Sequence, residues 1–418
     1  MTNRTHRIVI IAAVTIILTQ ISLFFFADNY WLFSVMASSR PPHLMDFRNI
    51  QAAIECSNNY NVLQTNPCDF LNRPMNYPRI WLLFKLSETQ MKLLFVALYL
   101  CYCIVLYKLF LKKGSFNGIL SYFLFFYFIF SPATQLLFER MNNDWMIFLL
   151  LYLFCLLKVN NYKIFAALLL LVAIVLKLYP IVAISAYLFV NRSDSFNKVI
   201  VPLLLSASLG YFWITRDDIA DIARSVPSFT GESYGFNVMV LYFKKYIVHM
   251  SAIKTVAILL MTLCYLRFYV YFLVTRVLLP ASATLISGLK SGEVDLLKKH
   301  LFIAGGSVFL FTYALGTNFD YRLIFLVFTL PFLISFYQKS YRVAILTVLV
   351  LLCFLSKYSS NVLNEFLIIF PVAIFFFLLF LRLILELVSE LHVTLNRYIS
   401  FSFFKKLTGT GNLKNNHI

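Results

Sequence analysis

Apolar residues in this chain come in long unbroken blocks, neither alternating nor striped. The first runs from Ile8 to Ala27. Others follow at roughly 91–111, 117–133, 141–158, 164–177, 179–191, 199–215, 250–275, 301–317, 323–338, 343–356 and 366–391. A helix rises 1.5 Å per residue, so about 20 apolar residues cover the hydrocarbon layer of a bilayer. The pattern predicts an all-α, polytopic transmembrane helical bundle of about twelve spans. The runs 164–177 and 179–191 meet at Lys177-Leu178-Tyr179-Pro180. Proline removes a backbone donor and ends a helix, so this is a polar join between two short helices. Arg4 and Arg7 precede the first run, and no small-x-small cleavage site precedes Asp28-Asn29. The run reads as an uncleaved signal anchor with a cytoplasmic N-terminus.

Composition agrees. Of 418 residues, 61% are hydrophobic and 13% charged, with phenylalanine alone at 45. A soluble domain is nearer one half apolar and one quarter charged. A soluble enzyme, a disordered chain and a disulfide miniprotein are excluded. The net charge of +18 would suggest nucleic acid in a soluble protein. Here it asks which side of the membrane holds the charge. Alternating the runs from a cytoplasmic start puts nearly all the positive excess inside and leaves the outer side close to neutral. Both termini are then cytoplasmic. Residues 1–400 form one transmembrane domain with outer loops at 28–90 and 216–249. The main cytoplasmic link is 276–300, and 401–418 is a basic cytoplasmic tail.

Chemistry is expected where ionisable groups adjoin apolar runs, because such groups are costly there and often functional. Four groups qualify. The first is His43-Leu-Met-Asp46-Phe-Arg48 in the first outer loop, where Asp46 is either a general base or a solvated loop residue. The second is Glu139-Arg140-Met-Asn142-Asn143-Asp144 at the outer start of a span. On one continuous helix, Glu139 would face Asn143 and Arg140 would face Asp144 at i,i+4. The third is Lys177-Leu-Tyr179-Pro180, a lysine with no acidic neighbour in sequence and a natural partner for a lipid phosphate. The fourth is Thr317-Asn318-Phe-Asp320-Tyr321-Arg322, where Asp320 and Arg322 either pair with each other or present a second cation.

Five of the seven cysteines, Cys101, Cys103, Cys155, Cys264 and Cys353, fall within apolar runs and read as inert thiols. Cys56 and Cys68 share the first outer loop. They close a small ring if that compartment oxidises, and are free thiols otherwise. The six histidines are scattered, which argues against a metal site. There is no P-loop, HExxH, GxSxG or glycine-rich dinucleotide turn.

The order of these features resembles the GT-C class of polytopic glycosyltransferases, nearest to glycosyltransferase family 87. The resemblance runs through most of the chain: an anchor helix, a long first outer loop carrying an acid, the polar ERMNND start of a span, the Lys-x-x-Pro break and a late outer turn, NFDYR. It implies an enzyme that moves a hexosyl or pentosyl group from a polyprenyl-phosphate donor to a hydroxyl of a lipid or glycan acceptor. One carboxylate and several cations suffice for an inverting displacement, although the sequence leaves stereochemistry and metal requirement open; no cofactor and no metal-ligand set is assigned. It gives Asp46 the role of base and Lys177, Arg140 and Arg322 that of phosphate ligands. Asn143, Asp144, Tyr179, Asp320 and Tyr321 are candidate substrate contacts. Membrane lipids are the surroundings and nucleic acid is not a partner. A flippase or transporter would use similar intramembrane charges but calls for inverted repeats, which the sequence lacks. A polysaccharide polymerase would share the donor chemistry.

Overall fold

A computed structural model describes residues 3–26, 45–69, 71–112, 119–190, 194–225, 233–247, 256, 260–315, 318–355 and 364–407. The described chain is mostly helical, with turns and coil over 57–69, 71–78 and 84–87 and one pairing of two short strands, β1 (Ser233–Tyr234) and β2 (Asn318–Phe319). The helices are α1 (Asn3–Phe26), α2 (Met45–Cys56), α3 (Glu88–Leu106), α4 (Ile119–Phe130), α5 (Pro132–Arg140), α6 (Asp144–Val159), α7 (Lys163–Leu176) and α8 (Ser185–Phe189). They continue with α9 (Ser195–Ile214), α10 (Arg216–Ser225), α11 (Phe236–Ile247), α12 (Leu260–Lys290), α13 (Leu296–Leu315), α14 (Leu330–Tyr337), α15 (Tyr341–Cys353) and α16 (Phe370–Leu407). Three 3-10 segments matter for the site: Arg79–Leu83, Tyr179–Ile184 and Asp320–Thr329.

Among the described residues, five helical stretches are long and apolar enough to cross a membrane: Glu88–Leu111, Ile119–Arg140, Ser195–Ile214, Leu260–Lys290 and Glu365–Val393. Several other apolar runs form shorter helices. Three sequence boundaries shift. The 276–300 link is mostly helix, the end of α12 and the start of α13. The 216–249 loop holds α10, β1 and α11, and the start of the 401–418 tail continues α16.

The described residues between α2 and α3 are held in place by a disulfide and by polar contacts. Cys56 and Cys68 are joined, their Cα atoms 6.0 Å apart. Beside them Asp69 accepts Arg73 Nε and Nη2, each at 3.0 Å, Asn49 Nδ2 at 3.2 Å and the backbone N–H groups of Leu71 and Arg73. Burial alone would raise this carboxyl, but the Arg73 and Asn49 hydrogen bonds outweigh it and hold it below its ordinary value of 3.8. Arg79 Nε reaches both oxygens of Asp218 at 2.9 Å, and Gln64 donates to Asp221 at 3.0 Å. These bonds tie the segment between α2 and α3 to α10.

The core is built from phenylalanine and small residues. α13 lies against the 320–329 segment and α16. A Cβ added at Gly305 would sit 2.5 Å from the Phe325 carbonyl oxygen, and one at Gly306 would run into the Phe376 ring. The close backbone approach therefore requires glycine, and it fixes the segment that carries Arg322.

The candidate functional site

Three breaks in helical structure build the site. Ser131 caps α5, accepting from Thr134 N, and Pro132 fills the first turn. α5 ends at Met141, which takes the left-handed conformation at φ 49° with no glycine to ease it. The chain turns there and α6 begins at Asp144. Asn142 Oδ1 accepts from Asp144 N at 2.9 Å, so the turn is held by its own side chain. The second break is the end of α7 at Leu176. Lys177 is extended, at φ −152° and ψ 136°. The freed carbonyls of Val175 and Leu176 accept from Tyr211 Oη at 3.2 Å and Trp81 Nε1 at 3.1 Å. The third break is the 3-10 segment after β2.

The left-handed Met141 overturns the single-helix reading of ERMNND. Arg140 does not pair with Asp144, and Glu139 does not share a helix with Asn143. Instead Arg140 Nη1 lies 4.0 Å from Asp46 Oδ1. Nor does Lys177 lack an acid. Its ammonium is bonded to Asp144 Oδ1 and donates to Asn142 Oδ1 at 3.1 Å. Tyr179 Oη donates to the same Asp144 oxygen at 2.7 Å, and Arg322 Nε reaches Asp144 Oδ2 at 3.4 Å. Sequence spacing cannot show these pairs, because the partners come from elements 33 and 178 residues apart.

The result is one polar cluster inside an apolar protein. Asp144 is fully buried, with a cation or hydroxyl on each oxygen, which is what a buried carboxylate needs. Asp46, on the first turn of α2, accepts from Asn142 Nδ2 at 2.6 Å. Its second oxygen faces Arg140. The Lys177 ammonium also lies 5.3 Å above the Tyr77 ring, and the Arg322 guanidinium 5.5 Å above Tyr179. Tyr179 meets Phe325 edge-on at 5.6 Å, locking it to the segment of Arg322. Cations and acids alternate, and the two arginine side chains are the more accessible members, 11% exposed for Arg140 and 21% for Arg322.

Six of the residues singled out from sequence converge here: Asp46, Arg140, Asp144, Lys177, Tyr179 and Arg322. Asn143 is buried, but neither atom of its amide has a hydrogen-bond partner. The side chains of Asp320 and Tyr321, with His43 and Thr317, lie outside the described residues, so the proposed Asp320–Arg322 pair does too. Arg48 is exposed on α2. Two members of the cluster were missed. Asn142 stood inside the ERMNND motif without a role, and Tyr77, whose hydroxyl lies 3.2 Å from Asn142 Nδ2, carried no signal in sequence. A further buried acid, Glu365, opens the last spanning helix and accepts from Gly235 N at 3.4 Å.

A cavity of about 180 Å³ is lined by Pro78, Arg79, Ile80, Leu178, Tyr211 and Asp218 among others. Among the described residues no three His, Cys, Asp or Glu side chains gather as a metal site. No family model matches the chain, and comparison with curated proteins and with solved structures likewise finds no match.

Proposed function

We propose that this is a membrane glycosyltransferase of GT-C type. It moves a sugar from a polyprenyl-phosphate-linked donor to a hydroxyl of a lipid or glycan acceptor at the outer face of a cell membrane. The observation that carries the reading is the meeting of two carboxylates, Asp46 and Asp144, with three cations, Arg140 beside Asp46 and Lys177 and Arg322 beside Asp144, in a single cluster bridged by Asn142. In this reading the shorter helices complete a bundle of about twelve spans, and both termini are cytoplasmic. The Cys56–Cys68 bond supports an oxidising compartment on the side of the first outer segment. Nucleotide sugars are cytoplasmic, so a site on that side calls for a lipid-carried sugar.

The assignment of roles follows from how each charge is satisfied. Asp144 is met by Lys177, Tyr179 and Arg322 and is the structural anion. Asp46 has an amide on one oxygen and a cation only at 4.0 Å from the other, so it is the better base. It takes the proton of the acceptor hydroxyl as that oxygen attacks the anomeric carbon. The bond from that carbon to the phosphate oxygen breaks, and the lipid phosphate leaves with the electron pair. Arg140 and Arg322 meet the growing phosphate charge at the accessible side. Lys177 spends two of its three N–H groups on Asn142 and Asp144 and has a third for the phosphate.

Purified protein in lipid, given a panel of polyprenyl-phosphate sugars and acceptors, tests the reading. Release of polyprenyl phosphate with a new glycosidic bond is expected. Translocation of a lipid-linked glycan without bond exchange would replace it with a flippase.

A further inference from the structure

The Asn142 side chain touches both halves of the cluster. Its Nδ2 donates to Asp46 at 2.6 Å and lies 3.2 Å from the Tyr77 hydroxyl. Its Oδ1 accepts from the Lys177 ammonium at 3.1 Å and from Asp144 N at 2.9 Å. The amide cannot be turned over. An ionised carboxylate only accepts, while an ammonium and a backbone N–H only donate. The site therefore needs a donor at one end and an acceptor at the other, on a short side chain, and asparagine is the residue that supplies both. The side chain is fully buried, so both ends are withdrawn from bulk water.

From this we infer that Asn142 is a positioning residue. It fixes the Asp46 carboxylate at a set distance from the Lys177–Asp144 pair and keeps the opposite charges of Asp46 and Lys177 from collapsing onto each other. With the neutral amide between them, Asp46 accepts from Asn142 and the Lys177 ammonium keeps its ion pair with Asp144. The strained turn at Met141 serves the same end, because a helix continued through 141 would carry Asn142 out of this position. The inference rests on the proposed reaction only in its kinetic consequence; the bridging itself is independent of any substrate.

The test exchanges the two partners. Asn142→Asp places a second carboxylate against Asp46. Like charges at this distance cannot both be ionised, so the variant should melt lower than wild type by about 5 °C or more at pH 8 and by less than half of that at pH 5, where the pair can share a proton. The exchanged double variant, Asp46→Asn with Asn142→Asp, restores one amide against one carboxylate and turns the acceptor still toward Lys177 and Asp144 N. It should recover the wild-type melting point at both pH values. A deficit that is equal at both pH values, or that persists in the double variant, overturns the bridging role. Turnover separates this outcome from the function. The double variant moves the charge from position 46 to position 142, so it should be folded and inactive. If it melts like wild type and keeps turnover, the bridge stands and Asp46 is not the base.

Discussion

At the scale of single residues, the proposed reaction gives the two acids of the site opposite tasks, and substitution should separate them. Asp46→Asn keeps shape but removes the charge, so the protein should fold and retain donor while turnover falls by about 10²–10⁴-fold. A single-turnover assay at matched protein level checks this; near-normal turnover would move the base elsewhere. Lys177 behaves differently. Lys177→Ala leaves Asp144 fully buried with Arg322 and Tyr179 alone, an imbalance that costs about 3–5 kcal/mol. It should also weaken use of the donor far more than use of the acceptor. Pairing Lys177→Met with Asp144→Asn should recover most of the melting temperature without recovering donor use. That pattern distinguishes a phosphate ligand from a purely structural cation.

At the scale of elements, the site depends on two supports outside it. One is α2, which carries Asp46, with the disulfide-closed stretch that follows it. Asp69 there has a depressed pKa, so its contribution is present above its ordinary value of 3.8 and is lost as the pH falls through and below that value. Trp81 fluorescence should report a loosening of the segment on acidification into that range. Asp69→Asn should remove the acid step and cost about 1–3 kcal/mol already at neutral pH, since the Arg73, Asn49 and backbone donors lose an ionised acceptor. The other support is the glycine contact between α13 and the 320–329 segment. Gly305→Ala forces Phe325 O away, an overpacking worth about 1–3 kcal/mol. Because the same segment presents Arg322, donor affinity should fall along with stability, although Gly305 touches neither substrate nor cluster.

At the scale of the whole molecule, the sidedness of the chain is the main prediction. α10 and the Cys56–Cys68 segment are tied together through Arg79–Asp218 and Gln64–Asp221, so they must share a side. The turn between α12 and α13 belongs on the opposite side. In a background with the exposed Cys101 and Cys264 replaced by serine, Asp217→Cys should react with an impermeant maleimide on intact cells. Glu293→Cys should react only after permeabilisation. The reverse labelling would put the cluster on the cytoplasmic side and remove the argument for a lipid-carried sugar.

The sequence by itself determined that this is a helical membrane protein and which of its polar groups are out of place, because block length and the cost of charge near hydrocarbon are local properties. The break at Lys177 was legible for the same reason: Pro180 is a local stop. The Cys56–Cys68 ring was a choice between two states that folding decided. What tertiary structure alone settled is pairing. Asp144 is 33 residues from Lys177 and 178 from Arg322, and no helical spacing links them. The ERMNND motif misled because i,i+4 geometry assumes one continuous helix, and the left-handed turn at Met141 contains no glycine to announce it. Tyr77 and Asn142 became members of the site because folding brings α2, the 77–83 segment and the α5–α6 turn to one point. A tyrosine in a loop and an asparagine in a polar run carry no mark of that in sequence. Charge and apolar length are written residue by residue, whereas a shared carboxylate or a bridging amide exists only once distant segments meet.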